Sequence, residues 1–103
     1  MNRLEKKIAR LKKQITMLGH FRPGSITKQK RRHRGDEYGE YWYLSYTFKG
    51  RGYTDYVPPG LLKQVRAEVA CYRRFKELSE ALLETAIELS RARIKRGREE
   101  GRA

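Results

Sequence analysis

Between Lys28 and Arg34 the chain sets five bases, Lys28, Lys30, Arg31, Arg32 and Arg34, and one histidine, His33, within seven residues. No acid answers them before Asp36 and Glu37. Ammonium and guanidinium groups at that density suit phosphate oxygens, which accept charge-assisted hydrogen bonds and release condensed counterions when neutralised. Just beyond comes Tyr41-Trp42-Tyr43-Leu44-Ser45-Tyr46. Outward tyrosine rings stack on bases or pack on sugars, so Tyr41 and Tyr43 are the stacking candidates. Lys49 and Arg51, in the turn that follows, extend the cationic set. Charge runs are most often solvated faces, and outward tyrosines are most often sheet cover. It is their juxtaposition that favours a nucleic-acid surface.

Other chemistries find less support. Asp36, Glu37 and Glu40 cluster in a Gly-flanked stretch and could hold a divalent ion as nuclease carboxylates do, but beyond Asp55 no second acidic motif accompanies them. There is no phosphate-cradling glycine loop and no nucleophile elbow. The lone Cys71 excludes an intrachain disulfide and a multi-Cys zinc site, and reads as a small buried helix residue. His20 and His33 lack metal-ligand spacing and read as solvated loop residues. No enzyme activity, metal or cofactor is therefore expected.

The elements that must position these residues follow from periodicity. Leu4, Ile8, Leu11, Ile15 and Leu18 recur at steps of four and three, so residues 3–18 read as a heptad helix with a basic opposite side, Arg3, Lys6, Lys7, Arg10, Lys12 and Lys13. Gly19 and then Pro23-Gly24 stop it. Residues 24–57 read as the basic segment and a Tyr-rich hairpin. Ser25 to Lys30 is a possible first strand, Gly35 to Gly39 a loop, Tyr41 to Phe48 the strongest strand, Lys49 to Gly52 a turn and Tyr53 to Val57 the returning arm. Alternation puts Trp42, Leu44, Tyr46 and Phe48 on a helix-covered face and Tyr41, Tyr43, Ser45 and Thr47 outward. Residues 61–94 read as one long helix, with Val65, Val69, Tyr72, Phe75, Leu78, Leu82, Ala86 and Leu89 at steps of three or four. The expected fold is α+β: a helix, a small antiparallel sheet of two or three strands and a long helix, with coiled-coil-like helix pairing. Residues 1–96 read as a single domain, and 97–103 as a charged tail.

Charge is uneven along this plan. The whole chain carries +13: residues 1–34 carry +11, residues 35–60 carry −2 and residues 61–103 carry +4. A small domain so basic repels itself, which calls for a polyanionic partner. One internal remedy exists. Glu77, Glu80, Glu84 and Glu88 form an acidic stripe on the long helix that could pair with Arg3, Lys6, Arg10 or Lys13 if the helices run antiparallel. No apolar run is long enough to span a bilayer, and the charged start is not a secretory signal.

The stretch from Pro23 to Leu89 resembles an uncharacterised prokaryotic family of unknown function often encoded with insertion-sequence transposases. The resemblance is carried by Gly24-Ser25-Ile26, by Gly35 and Gly39 ahead of Tyr41-Trp42-Tyr43-Leu44-Ser45-Tyr46, by Lys49-Gly50 and Tyr56-Val57-Pro58, and by Tyr72-Arg73-Arg74-Phe75-Lys76-Glu77-Leu78. The basic helix before Gly24-Ser25 also fits. The resemblance implies a mobile-element setting, a cytoplasmic location and a larger transposase-like partner, but no activity. Many members carry a Cys cluster and a His where this chain has Lys30 to Arg34 and Tyr38, and Pro where it has Glu40, so no metal or thiol role carries over.

The leading expectation is a nucleic-acid-binding accessory protein, of DNA or RNA, acting through Lys28, Lys30, Arg31, Arg32, His33, Arg34, Tyr41, Tyr43, Lys49 and Arg51. The alternative is a structural adaptor that docks its long helix on a larger protein or nucleoprotein. A homodimer is expected under either reading, because the Ile/Leu seam and the excess helix length need cover.

Overall fold

The computed structural model describes residues 2–33 and 37–101, and the side chains of 2–29 and 41–101. It is α+β in the order α1 (Arg3–Thr16), β1 (Ser25–His33), β2 (Glu37–Phe48), β3 (Arg51–Val57), one 3₁₀ turn (Pro59–Leu61) and α2 (Leu62–Gly101). The strands form one antiparallel sheet in sequence order. The chain divides into two compact units, Gly19–Arg73 and Met1–Leu18 with Arg74–Ala103, and α2 contributes its first turns to one and the remainder to the other.

In the sheet unit the core is Leu44, Val57 and Val69, with Ile26, Trp42, Leu62 and Val65 packed against it. Register explains the set. Ile26 lies opposite Leu44 and Trp42 opposite Val57, and directly opposed residues share a face. Leu44 is completely buried, which stabilises by about 1.5–3 kcal/mol relative to exposure. Gly24 closes over it. Its φ is +143°, and a Cβ there would come within 2.6 Å of Leu44 Cδ1, so the position requires glycine.

The sheet is larger than its sequence pattern suggests. β1 runs on to His33, and β2 begins at Glu37, so Glu37 to Gly39 form strand and not loop. The β2–β3 turn is only Lys49-Gly50, with φ of +52° and +76°. Two positive φ values suit a two-residue type I′ connection, whose twist matches the flanking strands. Arg51 and Gly52 already pair, opposite Phe48 and Thr47. Phe48, expected on the covered face, is 56% exposed: it adjoins the turn and lies beyond the core cluster. Cys71, expected to be buried, is half-buried, with its thiol 3.6 Å from the Gly19 carbonyl.

In the helical unit α1 opens with a capping box. The Asn2 side chain accepts from the Glu5 N–H at 2.8 Å, and the Asn2 N–H donates to the Glu5 carboxylate at 3.4 Å. Leu11 is buried, and Leu4, Ile8, Ile15 and Leu18 are half-buried, as the heptad reading requires. Leu78, Thr85 and Leu89 are buried on α2, and the Thr85 hydroxyl is satisfied by the Ala81 carbonyl at 2.8 Å. Glu5 meets Arg93 at 3.8 Å, and Ile8 and Lys12 line one cleft with Leu89, which is the antiparallel sense. α2 reaches Gly101, past the expected end at Ile94. The added residues are mainly Lys, Arg and Glu, good helix formers, and the isolated Gly97 costs only about 1 kcal/mol.

Candidate nucleic-acid interface

In β1 the basic residues alternate, and the register divides them. Lys28 lies opposite Trp42, Lys30 opposite Glu40 and Arg32 opposite Tyr38; between them Gln29 lies opposite Tyr41, Arg31 opposite Gly39 and His33 opposite Glu37. The segment is therefore a strand whose bases occupy both alternating series, and two acids stand directly across from it. The side chains of Lys30, Arg31, Arg32 and His33 lie outside the described residues, as do Arg34 and Asp36 altogether.

Lys28 lies against an aromatic ring while remaining exposed. Its ammonium sits 5.5 Å from the centroid of Trp42, and the Arg66 guanidinium lies over the same ring at 5.0 Å. At exposed positions such as these each contact contributes roughly 0.5–1 kcal/mol. On the other face Tyr41 and Tyr43 both meet Tyr56 edge-on, with centroids 6.0 and 5.9 Å apart. The two predicted stacking residues are thus brought together, and Tyr56, which was not singled out, completes a three-tyrosine surface. The exposed Lys49 and Arg51 lie at the end of β2 remote from the 34–36 connection, roughly 35 Å along the strand. They do not extend the Lys28–Arg34 group.

Arg22 organises the entry to this unit. Its guanidinium holds the Asp55 carboxylate at 2.7 Å and lies 4.8 Å from the Tyr46 centroid, while its N–H donates to the Glu68 carbonyl. Tyr46 in turn stacks on Tyr53 at 5.1 Å. Asp55 is thereby taken up in a structural ion pair. Beside Arg22 an open cleft of about 600 Å³ is lined by His20, Phe21, Tyr46, Phe48 and Glu68. The Phe21-Arg22-Pro23 triplet that follows the first helix was the available signal for it.

A second cationic surface lies in the helical unit. Arg3, Lys6, Lys7 and Arg10 line a cleft of about 680 Å³ with Leu4 and a single acid, Glu88. Residues three and four apart share a helix face, so α1 presents these cations together. The expected pairing with the acidic stripe is not formed among the described residues. Glu77 goes to Arg74 at 3.2 Å, Glu5 to Arg93, and neither Glu80, Glu84 nor Glu88 is within ion-pair distance of an α1 base. Within the described residues there is also no group of three His, Cys, Asp or Glu side chains that could hold a metal, and no helix long and apolar enough to cross a membrane.

A family model, a domain of unknown function (DUF6788), matches residues 1–67. The chain belongs to this family. The match takes in α1, the sheet and the first turns of α2; it starts before the resemblance read from Pro23 and stops well short of Leu89. The basic cations of α1 therefore fall inside the DUF6788 region, and the distal part of α2 falls outside it. No curated protein and no solved structure matches the chain.

Proposed function

We propose that the protein binds nucleic acid, with the basic face of α1 as its principal phosphate contact and β1 and the tyrosine surface as secondary contacts. The observation that carries this reading is the α1 cleft, where four cations face one acid and none is within ion-pair distance of a carboxylate among the described residues. Cations left to solvent in a chain of net charge +13 gain most from a partner that brings its own phosphates. Tyr41, Tyr43 and Tyr56 add a sequence-tolerant stacking surface. The mobile-element and cytoplasmic setting is inferred from the family resemblance alone.

The test is binding of labelled duplex DNA, single-stranded DNA and RNA across a salt series. Affinity falls as salt rises, and the combined Lys6→Gln, Lys7→Gln, Arg10→Gln variant lowers the log–log slope by roughly 2–3, close to one unit per lost phosphate contact. Binding that is indifferent to salt, or a variant that binds like the parent, defeats the reading. The adaptor alternative keeps one specific observation, the exposed Leu83, Ile87 and Ile94 on α2. It predicts a stoichiometric protein partner and no nucleic-acid affinity at physiological salt.

A further inference from the structure

Leu83, Ile87 and Ile94 expose 61%, 46% and 54% of their surfaces. With Ser90, Gly97 and Gly101 they follow alternating steps of four and three, which makes one heptad seam along α2. At 3.6 residues per turn the seam lies roughly 140° around the helix from the row of Leu78, Thr85 and Leu89. That row is buried within the chain's own helical unit, so the seam is a second, uncovered face.

Its flank identifies the occupant. Glu77, Glu84, Arg91 and Arg98 recur every seven residues beside the seam, two acids followed by two bases. Such an order is complementary to itself when reversed. If a second α2 runs antiparallel, with Leu83 opposite the partner's Ile94 and Ile87 opposite the partner's Ser90, then Glu84 meets the partner's Arg91 and Glu77 meets the partner's Arg98. Two-fold symmetry makes each pair twice. The other flank sets Ala86 against the partner's Arg93, without repulsion. A parallel pair instead places Arg93 beside the partner's Arg98 and forms no ion pair. Glu84, Arg91 and Arg98 have no ion pair among the described residues, and Glu77 has only its exposed i,i+3 contact with Arg74, which contributes little and is readily exchanged.

We propose that α2 forms an antiparallel homodimer through the Leu83–Ile87–Ile94 seam, in the register set by the Glu84–Arg91 and Glu77–Arg98 pairs. Leu83, Ile87 and Ile94 do not line the α1 cleft, so the effect of Ile87→Glu on dimerisation and that of the α1 variant on nucleic-acid binding are read independently. Sedimentation equilibrium of the full chain, from low to high micromolar, tests it. The parent reversibly dimerises. Ile87→Glu, at an exposed site where circular dichroism should report unchanged helicity, weakens the dimer by about tenfold or more. Glu84→Lys and Arg91→Glu each weaken it, and the two together restore it, because the exchanged charges meet again across the dyad. A monomer at every concentration overturns the proposal. So does a dimer indifferent to Ile87→Glu, or a double variant as weak as the singles.

Discussion

In the unit built on the sheet, Arg22, Lys28 and Arg66 each lie against an aromatic ring, and Arg22 also holds Asp55. In the helical unit, Arg3, Lys6, Lys7 and Arg10 surround an open cleft in which Glu88 is the only acid among the described residues. The same residue types thus do two jobs. Where aromatic area is plentiful, a cation's stem packs and its charge sits over a ring, and the residue serves stability. Where no acid comes within ion-pair distance among the described residues, the charge remains in water and is available to a polyanion. Basic residues are informative about function only after this sorting, and among the described side chains it separates Lys28, which lies over Trp42, from the cations of the first helix.

The sharpest break of the comparison is at the packed end. Leu44→Ala should cost about 2–5 kcal/mol, as expected for a large-to-small change at a fully buried site. Gly24→Ala should cost about 2–3 kcal/mol, because the new methyl meets Leu44 and the backbone is held at positive φ. Urea denaturation measures both. Equal losses for Leu18→Ala, a half-buried residue of the helical unit, would show that the two units do not differ in how tightly they are packed.

The second prediction sets basic segments against each other. Replacing Lys6, Lys7 and Arg10 by Gln should reduce duplex affinity about 10–100-fold at moderate salt and leave the denaturation midpoint nearly unchanged, since none of the three is in an ion pair among the described residues. The matching variant of Lys30, Arg31 and Arg32 should lose less, because the register distributes these bases over both strand series and sets Glu40 and Glu37 across from the strand. A larger loss for the β1 variant would return the principal contact to the basic strand. Titration by fluorescence anisotropy of both variants on one labelled duplex decides the order.

These two outcomes bear on what the sequence could disclose. Alternation around Trp42 and Leu44 identified the covered face of β2, because burial in a sheet has a period of two and Leu44 has neighbours on both sides. It failed at Phe48, since the pattern has no information about how far along β2 the core cluster extends. The helix seam from Leu4 to Leu18 was legible for the same periodic reason. The partners of the charges were not. Glu80, Glu84 and Glu88 share a spacing with the α1 bases, but whether two stripes meet depends on the rotation of each helix about its axis, which apolar packing sets and charge spacing does not. Register was equally hidden: one residue of slip would have put Lys28 on the face of Tyr41 and Tyr43 instead of under Trp42.

A smaller effect is expected from Arg22→Leu. The substitution leaves Asp55 without its partner and removes the cation over Tyr46, but both charged groups are partly solvated, so the loss should be about 1 kcal/mol. Adding Asp55→Asn should recover part of it, and nucleic-acid affinity should stay within about twofold of the parent, given the principal contact on α1. A marked fall in affinity with unchanged stability would instead make Arg22, beside the His20–Phe21 cleft, a phosphate ligand.

The smallest prediction concerns the turn, where one residue carries both readings at once. Lys49 is held at φ +52°, a left-handed conformation costing a side-chain-bearing residue about 1 kcal/mol, and its ammonium lies 5.4 Å from the adjacent Phe48 ring. Lys49→Gly removes the steric cost but loosens the unfolded chain and forfeits the ring contact, so stability should rise by only about 0.5 kcal/mol. If Lys49 is present for its charge, the same variant should lower the salt slope of binding by about one unit while raising the melting temperature. If the slope stays fixed, the turn tolerates lysine without using it, and the nucleic-acid surface ends before the β2–β3 connection.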